Sequence, residues 1–494
     1  MLNTYLGQKG YTLLKKELTI EEQQNIREEL MVKPYVHGAP INSSTTFPVY
    51  RESDTKLYVP HYYGFKKFGI QKEIKIQDGH NIQLEFNGSL REPQKKVVET
   101  YINHIEKVGF GGGLLELPCA FGKTILSINI ITRIQKKTII IVHKEFLMNQ
   151  WIERINQFLP GARIGKIQGQ IVDIENKDIV LAMLQSLSMK EYPSSIFDSF
   201  GLTIIDEVHH ISSQTFSCAL FKLVTKYMLG LSATMNRKDG TTNVFKMFIG
   251  DVIFKGTREE SHEVQVRGIE YIVDDDEFNN VVHDYRGNVQ YSTMISKLCE
   301  YNHRSEFILR VLSDMLFENP NQQVMILAHN KNILKYLHDS IVHRNIATVG
   351  YYVGGMKESA LKETESKKVV IATFSMAAEA LDIKTLTTLI MATPKTDIEQ
   401  SVGRILREKH SQPIVVDIID GHDIFQRQWL KRKAFYKKNN YKIIGINNKI
   451  YQVDTSKWKV IFDPILSSKR EKILEKEETK DSELSGKCFL KIKK

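Results

Sequence analysis

The segment LPCAFGKT at residues 117–124 has the residue types and spacing of a phosphate-binding loop. An apolar run at 114–117 predicts a strand before it, and isoleucines every three residues after it predict a helix. A loop between a strand and a helix presents backbone N–H groups and the positive helix end to an anion. Lys123 can then reach the outer phosphates of a nucleotide, and the Thr124 hydroxyl can ligate Mg²⁺.

A pair of adjacent acidic residues forms a second element. Leu202–Ile205 is a β-branched run that predicts a buried strand, and Asp206 and Glu207 follow it directly. Two carboxylates at a strand tip are costly without a cation, and Mg²⁺ bound to a nucleotide would supply one. We therefore expect Asp206 to contact the metal, directly or through water, and Glu207 to orient and deprotonate an attacking water.

A third element is QSVGRILR at residues 400–407. Arg404 and Arg407 are three residues apart, so on a helix they would share one face. A planar, permanently charged guanidinium suits the charge that develops on a transferred phosphoryl group. Surface salt bridging is the alternative, but it does not explain why this spacing accompanies the other two elements.

Together the three elements resemble the motifs of superfamily 2 helicases over residues 89–425, and within that superfamily the XPB and UvsW branch. The chain is especially similar to the helicases of large cytoplasmic DNA viruses, which include the poxvirus transcript-release helicase. The resemblance implies an α/β fold with two tandem RecA-like parallel-sheet domains. It also implies ATP and Mg²⁺ as cofactors and movement in the 3′→5′ direction along nucleic acid.

The resemblance extends to further residues. The L-R-x-x-Q element at 90–94 implies that Gln94 reads the adenine edge, with Arg91 beside it. Lys238 replaces the acid of the Arg-Glu-Asp element typical of the XPB branch. Coupling between the ATP site and nucleic acid is implied for His209, Ser232, Ala233 and Thr234. Nucleic-acid contacts are implied for Gln150, Trp151, Gln185, Arg237 and Thr373. Further nucleotide contacts are implied for Pro118, Cys119, Ala120, Phe121, Gly122 and Asp382, and Gln400 joins the catalytic candidates.

Composition limits the class of protein. A chain of 494 residues is too long for one core, and its 42% hydrophobic and 26% charged residues are ordinary for a globular protein. No apolar run approaches the ~20 residues of a membrane span, and the N-terminus lacks a secretory pattern. Four scattered cysteines without a C-x-x-C pair argue against a zinc or iron–sulfur site. We expect a reducing compartment, which for a viral protein is the host cytoplasm or the virion.

The net charge of +10 is concentrated at the C-terminal end. Residues 426–494 hold 19 basic and 8 acidic residues, whereas the rest of the chain holds 49 and 50. Aromatic residues are interleaved with this charge, at Trp429, Phe435, Tyr436 and Tyr441. Stacking combined with charge is typical of single-strand binding. An amphipathic helix whose basic face is only solvated would explain the same pattern equally well.

The pattern along the chain predicts four regions: an accessory domain at 1–88, an ATP-binding domain at 89–255, a second α/β domain at 256–425, and a basic extension at 426–494. The aromatic stretch 56–69 is either a stacking platform or, as we favour, part of a small core. In the second α/β domain we expect a helix over 294–317 and strands at 324–327, 369–372, 388–391 and 414–417. The last ~25 residues have a disordered composition.

Two classes of function fit these features. The first is an ATP-driven motor that unwinds duplexes or strips a transcript from an RNA polymerase elongation complex; fork remodelling or duplex opening in repair is its alternative setting. The second is a nucleotide-gated clamp without turnover, which predicts a damaged catalytic set. Glu207, Arg404 and Arg407 are all present, so the motor is favoured. We expect it to contact the nucleic-acid backbone with little sequence preference.

Overall fold

The computed structural model of the chain describes residues 2–35, 46–107, 110–118, 121–210, 213–235, 237, 239–256, 263–379, 381, 383–406, 410 and 412–466. The chain divides into two compact units, Met1–Arg258 and Glu259–Lys494. The first unit contains an accessory domain and one α/β lobe. The second unit contains the other lobe.

The accessory domain is built on a small, mainly antiparallel sheet. Its elements are β1 (Tyr5–Gly7), β2 (Gly10–Leu14), α1 (Ile20–Glu29), β3 (Met31–Val32), β4 (Phe47–Pro48), β5 (Arg51–Glu52), β6 (Lys56–Val59), α2 (His61–Phe68) and β7 (Glu73–Ile74). The strand order is β5-β6-β2-β1-β7. Leu57, Val59 and Tyr11 lie in its core, and Tyr62 is also buried. The stretch 56–69 therefore contributes to a small core, as we favoured.

The accessory domain ends earlier than the expected boundary after residue 88. Ile82 and Leu84 are buried in the core of the first lobe, and the Ile82 N–H donates to the Gln135 carbonyl at 3.1 Å. Residues 82–84 therefore belong to the lobe, and that boundary is wrong.

The first lobe is an eight-stranded sheet flanked by helices. Its elements are α3 (Glu92–Glu106), β8 (Gly111–Glu116), α4 (Lys123–Ile134), β9 (Thr138–Val142), α5 (Glu145–Phe158), β10 (Ile164–Gln168), β11 (Ile171–Asp173), β12 (Ile179–Met183), α6 (Leu184–Met189), β13 (Leu202–Ile205), α7 (Ser213–Leu220), β14 (Tyr227–Ser232), α8 (Thr242–Ile249) and β15 (Val252–Lys255). The order is β11-β10-β12-β9-β13-β14-β8-β15, and only β11 runs antiparallel to its neighbour. Both faces of β9 and β13 are covered, which explains their continuous apolar sequences.

The parallel arrangement of the strands positions the candidate residues of the ATP site. Strand β14 lies between β13 and β8 and is parallel to both. The carboxyl ends of these strands therefore meet at one edge of the sheet, where ligands of open α/β sheets bind. The phosphate-loop sequence follows β8, Asp206 follows β13, and Ser232 ends β14.

The second lobe is another eight-stranded sheet. Its elements are β16 (Gln265–Tyr271), α9 (Asp276–Asn279), α10 (Tyr291–Glu300), α11 (Asn302–Glu318), β17 (Gln323–Ala328), α12 (Lys331–His343), β18 (Val349–Tyr352), α13 (Glu358–Glu365), β19 (Val369–Thr373), α14 (Phe374–Glu379), β20 (Leu386–Met391), α15 (Glu399–Gly403), β21 (Ile414–Asp420), α16 (Asp423–Lys438), β22 (Lys442–Asn447) and β23 (Lys459–Phe462). The order is β18-β19-β17-β20-β21-β16-β22-β23, parallel except for β23.

The predicted α/β class with two tandem parallel sheets is confirmed. Strands β17, β19, β20 and β21 occupy the four predicted positions. The stretch 294–317 is helical as expected, in two helices, α10 and α11, which meet at Tyr301.

The C-terminal segment does not form a separate extension up to residue 462. Strand β22 pairs in parallel with β16, so it continues the second sheet. Trp429, Tyr436 and Tyr441 are buried, so these rings cannot stack on bases. The boundary after residue 425 and the stacking interpretation of these rings are both wrong. The last residues, which we expected to be disordered, lie outside the described part of the chain.

Within the described residues, no helix has both the length and the apolar character needed to cross a membrane.

Candidate active site

The loop after β8 and the first turn of α4 form the phosphate-binding element. Gly122 caps α4 with φ +89°, a conformation that favours glycine. A Cβ at this position would also lie 2.4 Å from the Gln94 amide nitrogen. Both constraints explain the glycine that precedes Lys123. Pro118, Phe121 and Thr124 are described and partly buried, whereas Cys119 and Ala120 lie outside the described residues.

Lys123 and Glu207 form a short ion pair at this edge. The Lys123 Nζ lies 2.6 Å from Glu207 Oε1, and both side chains are largely shielded from solvent. The other carboxylate oxygen of Glu207 lies 3.4 Å from His209 Nδ1. Glu207 has φ +49°, a left-handed conformation that is uncommon outside glycine. The local backbone therefore turns sharply to direct this carboxylate toward the phosphate-binding element.

Asp206 is buried beside this pair. The Trp151 indole N–H donates to Asp206 Oδ2 at 2.9 Å. Burial first, and then the negative charge of Glu207, raises the pKa of Asp206, while Lys123 and the indole oppose that rise. A nearby cation would relieve this unfavourable environment for two carboxylates.

Trp151 does not have the predicted role. Its side chain is 1% exposed, so it cannot contact nucleic acid, and that prediction is wrong. The sequence held a signal for this: Leu147, Met148, Trp151 and Ile155 are the buried positions of α5 and recur at helical spacing. That periodicity places the indole on the inner face, although it does not identify Asp206 as its partner.

Gln94 and Arg91 contact the phosphate-binding loop at the start of α3. The side-chain N–H groups of both residues donate to the Phe121 carbonyl at 2.8 Å. The Arg91 backbone N–H donates to the Gln94 amide oxygen at 2.9 Å, which fixes the orientation of that amide. The role of Gln94 at the adenine edge remains a prediction.

A hydrogen-bonded network joins the ends of β13 and β14. The Ser232 hydroxyl lies 2.6 Å from His209 Nδ1 and also donates to the Thr234 carbonyl. Because a hydroxyl carries one proton, this arrangement assigns the imidazole proton to Nδ1, which donates to Ser232. Ala233 is buried next to Ser232.

Arg237 extends this network within the first lobe. Its guanidinium donates to the His209 carbonyl at 2.7 Å and forms a bidentate ion pair with Asp239. This pairing lowers the pKa of Asp239 to about 2. The side chain of Arg237 is 12% exposed, and its contact with nucleic acid stays a prediction. Lys238 lies outside the described residues.

The remaining candidates for nucleic-acid contact are accessible to different extents. Gln185 is exposed and donates to the His143 carbonyl at 3.0 Å, and Gln150 is partly buried. They lie on α6 and α5, which follow the neighbouring strands β12 and β9. Thr373, at the end of β19 in the second lobe, is partly buried, with its hydroxyl 3.3 Å from that of Ser375. Their contacts with nucleic acid remain predictions.

The second lobe carries the arginine element. Arg404 begins a 3₁₀ turn, Arg404–Leu406, directly after α15, and its guanidinium donates to the Leu381 carbonyl at 2.8 Å. Gln400 is partly buried within α15. Arg407 and Asp382 lie outside the described residues, so the expected common face of the two arginines stays a prediction.

The residues at the first-lobe edge fit Mg²⁺ bound together with a nucleotide. Within the described ranges, no three His, Cys, Asp or Glu side chains converge to hold a metal ion. Mg²⁺ is commonly held by one or two carboxylates together with substrate phosphates. The buried carboxylate of Asp206 and the hydroxyl of Thr124 provide oxygen donors of that kind.

Comparison with known proteins places these features in a family. Residues 87–237 match the family described as "Type III restriction enzyme, res subunit". A "Putative ATP-dependent RNA helicase" of Acanthamoeba polyphaga mimivirus is 33% identical, and the match covers 90% of this chain and 86% of the relative. A "Putative helicase" of Invertebrate iridescent virus 6 is 26% identical, covering 73% and 85%.

The crystal structure of T4 UvsW matches with a TM-score of 0.34 and 17% identity, covering 87% of this chain and 96% of that one. The family assignment rests on the viral sequences instead. Identity of 33% extends across most of both chains, and the similarity includes the domain that carries the phosphate-binding loop. The chain therefore belongs to the family of viral ATP-dependent helicases that includes the mimivirus relative.

Proposed function

We propose that this helicase hydrolyses ATP at the Lys123–Glu207 edge and uses the cycle to move 3′→5′ along nucleic acid during viral transcription. The observation that carries the proposal is the 2.6 Å contact between Lys123 and Glu207. It brings a phosphate-binding lysine and a candidate general base together although they are far apart in sequence.

This contact suggests how a bound triphosphate prepares the site. The phosphates attract Lys123 away from Glu207 because they carry more negative charge than one carboxylate. Glu207 is then free to orient and deprotonate the attacking water. Asp206 and Thr124 would hold Mg²⁺, which supplies positive charge next to the phosphates when it is bound.

Arg404 and Arg407 of the second lobe are proposed as further catalytic residues, with Gln400 as a third candidate. A permanently charged guanidinium suits the charge that develops on a transferred phosphoryl group. ATP binding would favour one conformation of the protein, and hydrolysis would release it. The network of His209, Ser232 and Arg237 is suited to transmit that change within the first lobe.

The proposed substrate is a transcript within an RNA polymerase elongation complex. The mimivirus relative and those of African swine fever virus bear the name "Putative ATP-dependent RNA helicase". Their alignments span 86% and 74% of those relatives. These names support RNA as part of the substrate, and the resemblance to the viral transcript-release helicases supports the process.

A release assay on a stalled elongation complex tests the process. Wild-type protein with ATP is expected to free the transcript, whereas Glu207→Gln is expected to bind ATP and free none. Release by Glu207→Gln at the wild-type rate would contradict the motor. A wild-type protein that unwinds forked DNA but leaves the transcript bound would contradict the transcription role.

Tailed duplexes test the direction of movement. DNA and RNA duplexes that differ only in which strand end carries the single-stranded tail are compared at equal enzyme and ATP. We expect strand displacement with a 3′ tail and little with a 5′ tail. The reverse preference would contradict the proposed polarity without affecting the hydrolysis site.

A further inference from the structure

A buried indole contacts the carboxylate that is proposed to hold the metal. Trp151 lies on the inner face of α5, and its N–H is 2.9 Å from Asp206 Oδ2. Within the described part of the chain, no other side chain donates a hydrogen bond to the Asp206 carboxylate. The contact crosses from the helix after β9 to the tip of β13, its parallel neighbour.

We propose that Trp151 is a positioning residue that fixes the Asp206 carboxylate for Mg²⁺–nucleotide, an inference that rests on the proposed hydrolysis site. Rotation of an aspartate carboxylate about χ2 is only weakly restricted, so an unpartnered group samples many orientations. The indole N–H holds Oδ2 and leaves Oδ1 to face a cation. Partners of this kind orient carboxylate ligands and raise metal affinity.

Packing alone does not explain the tryptophan. A phenylalanine or leucine could fill much of the same apolar space without bringing a polar N–H into the core. A buried N–H costs free energy unless it finds an acceptor, and here that acceptor is the charged Asp206. The tryptophan at position 151 is therefore explained by the hydrogen bond that its indole N–H donates to the Asp206 carboxylate.

The position of Trp151 on α5 gives the contact a second consequence. Gln150, the adjacent residue, is partly exposed and is a candidate contact for the nucleic-acid strand. A shift of α5 upon strand binding would move the indole relative to Asp206. Helix α5 thus joins a candidate strand contact to the carboxylate that is proposed to hold the metal.

The test compares nucleotide binding with and without metal. The affinity for a fluorescent ADP is measured for the full-length chain in Mg²⁺ and in EDTA, using Trp151→Phe. The matched control is Trp458→Phe, which removes another buried indole N–H, one that donates to the Gln452 carbonyl at 3.0 Å. We expect Trp151→Phe to lose about tenfold in affinity in Mg²⁺ and to match wild type in EDTA. The control is expected to match wild type in both conditions.

The outcomes separate the inference from the site itself. An equal loss in Mg²⁺ and EDTA would assign Trp151 to packing only, and no loss in either would mean that its N–H has no role; both overturn the inference. Wild-type affinity that is independent of Mg²⁺ would overturn the proposed site instead. If Trp151→Phe does not fold, the isosteric benzothienylalanine at position 151, which lacks the N–H, gives the same comparison.

Fluorescence provides a readout that does not depend on turnover. The chain has three tryptophans, so a Trp429→Phe/Trp458→Phe variant leaves Trp151 as the only indole in the sequence. We expect its emission to shift when Mg²⁺–ADP binds and to change little with ADP in EDTA. The same emission in both conditions would contradict a contact that responds to the metal.

Discussion

At the scale of single residues, the site depends on short contacts between side chains that follow different strands. Lys123 follows β8, Glu207 follows β13, and Ser232 ends β14. The Lys123–Glu207 pair and the Ser232–His209 contact are both 2.6 Å long. Glu207 and His209 both lie just after β13 rather than within it, so a small movement of that segment can change both contacts without unfolding the lobe.

Replacing Ser232 with alanine should separate hydrolysis from strand displacement. The substitution removes the acceptor for the His209 imidazole but leaves Lys123, Glu207 and Asp206 in place. The loss of one hydrogen bond corresponds to up to about tenfold in an equilibrium or rate. We expect ATP hydrolysis near the wild-type rate and strand displacement reduced by about tenfold.

The two activities are measured on the same tailed duplex. Ser313→Ala is the matched control, because the Ser313 hydroxyl donates to the Leu309 carbonyl one helical turn away in α11, in the other lobe. Equal losses of hydrolysis and displacement in Ser232→Ala would argue against a coupling role.

At the scale of elements, helix α16 attaches to the second sheet through a buried ion pair. Arg432 forms a bidentate pair with Asp417 of β21 at 2.7 and 2.8 Å, and both side chains are about 1% exposed. The Tyr436 hydroxyl donates to the same carboxylate. The helix is therefore a structural part of the lobe although its composition is strongly basic.

Arg432→Met should destabilise the second lobe because it leaves Asp417 buried without its cation. Breaking a buried pair in this way costs about 3–5 kcal/mol. Lys431→Met, at an exposed neighbouring position, is the control and should stay within about 0.5 kcal/mol of wild type. Denaturant unfolding followed through Trp429 and Trp458 measures both, and equal stability of the two variants would contradict the buried-pair account.

The outward face of α16 is still a candidate for single-strand binding through its charge. Arg427, Lys431 and Lys438 are exposed and are spaced by four and seven residues, so they share one face. A triple substitution to glutamine should weaken single-strand binding and reduce the slope of log affinity against log salt by about 0.7 for each phosphate that is no longer neutralised. An unchanged slope would exclude this face from the interface.

In the accessory domain, His61 should make helix α2 sensitive to acid. It is buried at the start of α2 beside Tyr62 and Phe110, and burial lowers its pKa to about 4. The unfolded histidine has a pKa near ~6.5, so it takes up a proton that the folded one does not. Stability should therefore fall as the pH drops from about 6.5 to 4.

Hydrogen exchange of residues 61–68, corrected for intrinsic rates, measures this effect. His61→Phe should reduce the loss of protection on acidification, because phenylalanine keeps an aromatic ring and cannot be charged. The exposed His104→Gln substitution should leave the loss unchanged. A loss that persists in His61→Phe would assign the sensitivity to another group.

At the scale of the whole molecule, the sequence allowed the fold class and the grouping of Lys123 with Glu207 to be predicted. Parallel strands bring their carboxyl ends to one edge, so residues following β8 and β13 could be grouped without a structure. The role of Trp151 could not be predicted, since spacing identifies an inner helix face but not the partner across the sheet. The charge count over the C-terminal segment also did not predict that part of this segment belongs to the second lobe. A count of charges does not distinguish the buried Arg432 from the exposed Lys431.

The two lobes have different parts in the proposed cycle. The first carries Lys123, Asp206 and Glu207, and the second carries Arg404 and Arg407. In that proposed cycle, strand movement and transcript release would both depend on hydrolysis at the first-lobe edge. The central claim is therefore that a bound triphosphate draws Lys123 away from Glu207. Glu207 then activates the water that attacks the triphosphate.

The most direct test is phosphate release by wild type and Glu207→Gln, with and without single-stranded nucleic acid, beside ATP binding to the same preparations. Glutamine keeps the shape of the side chain but cannot take a proton from water. We expect nucleic acid to stimulate the wild type, and Glu207→Gln to bind ATP while hydrolysing it at least about 100-fold more slowly. Hydrolysis by Glu207→Gln at the wild-type rate would contradict the account.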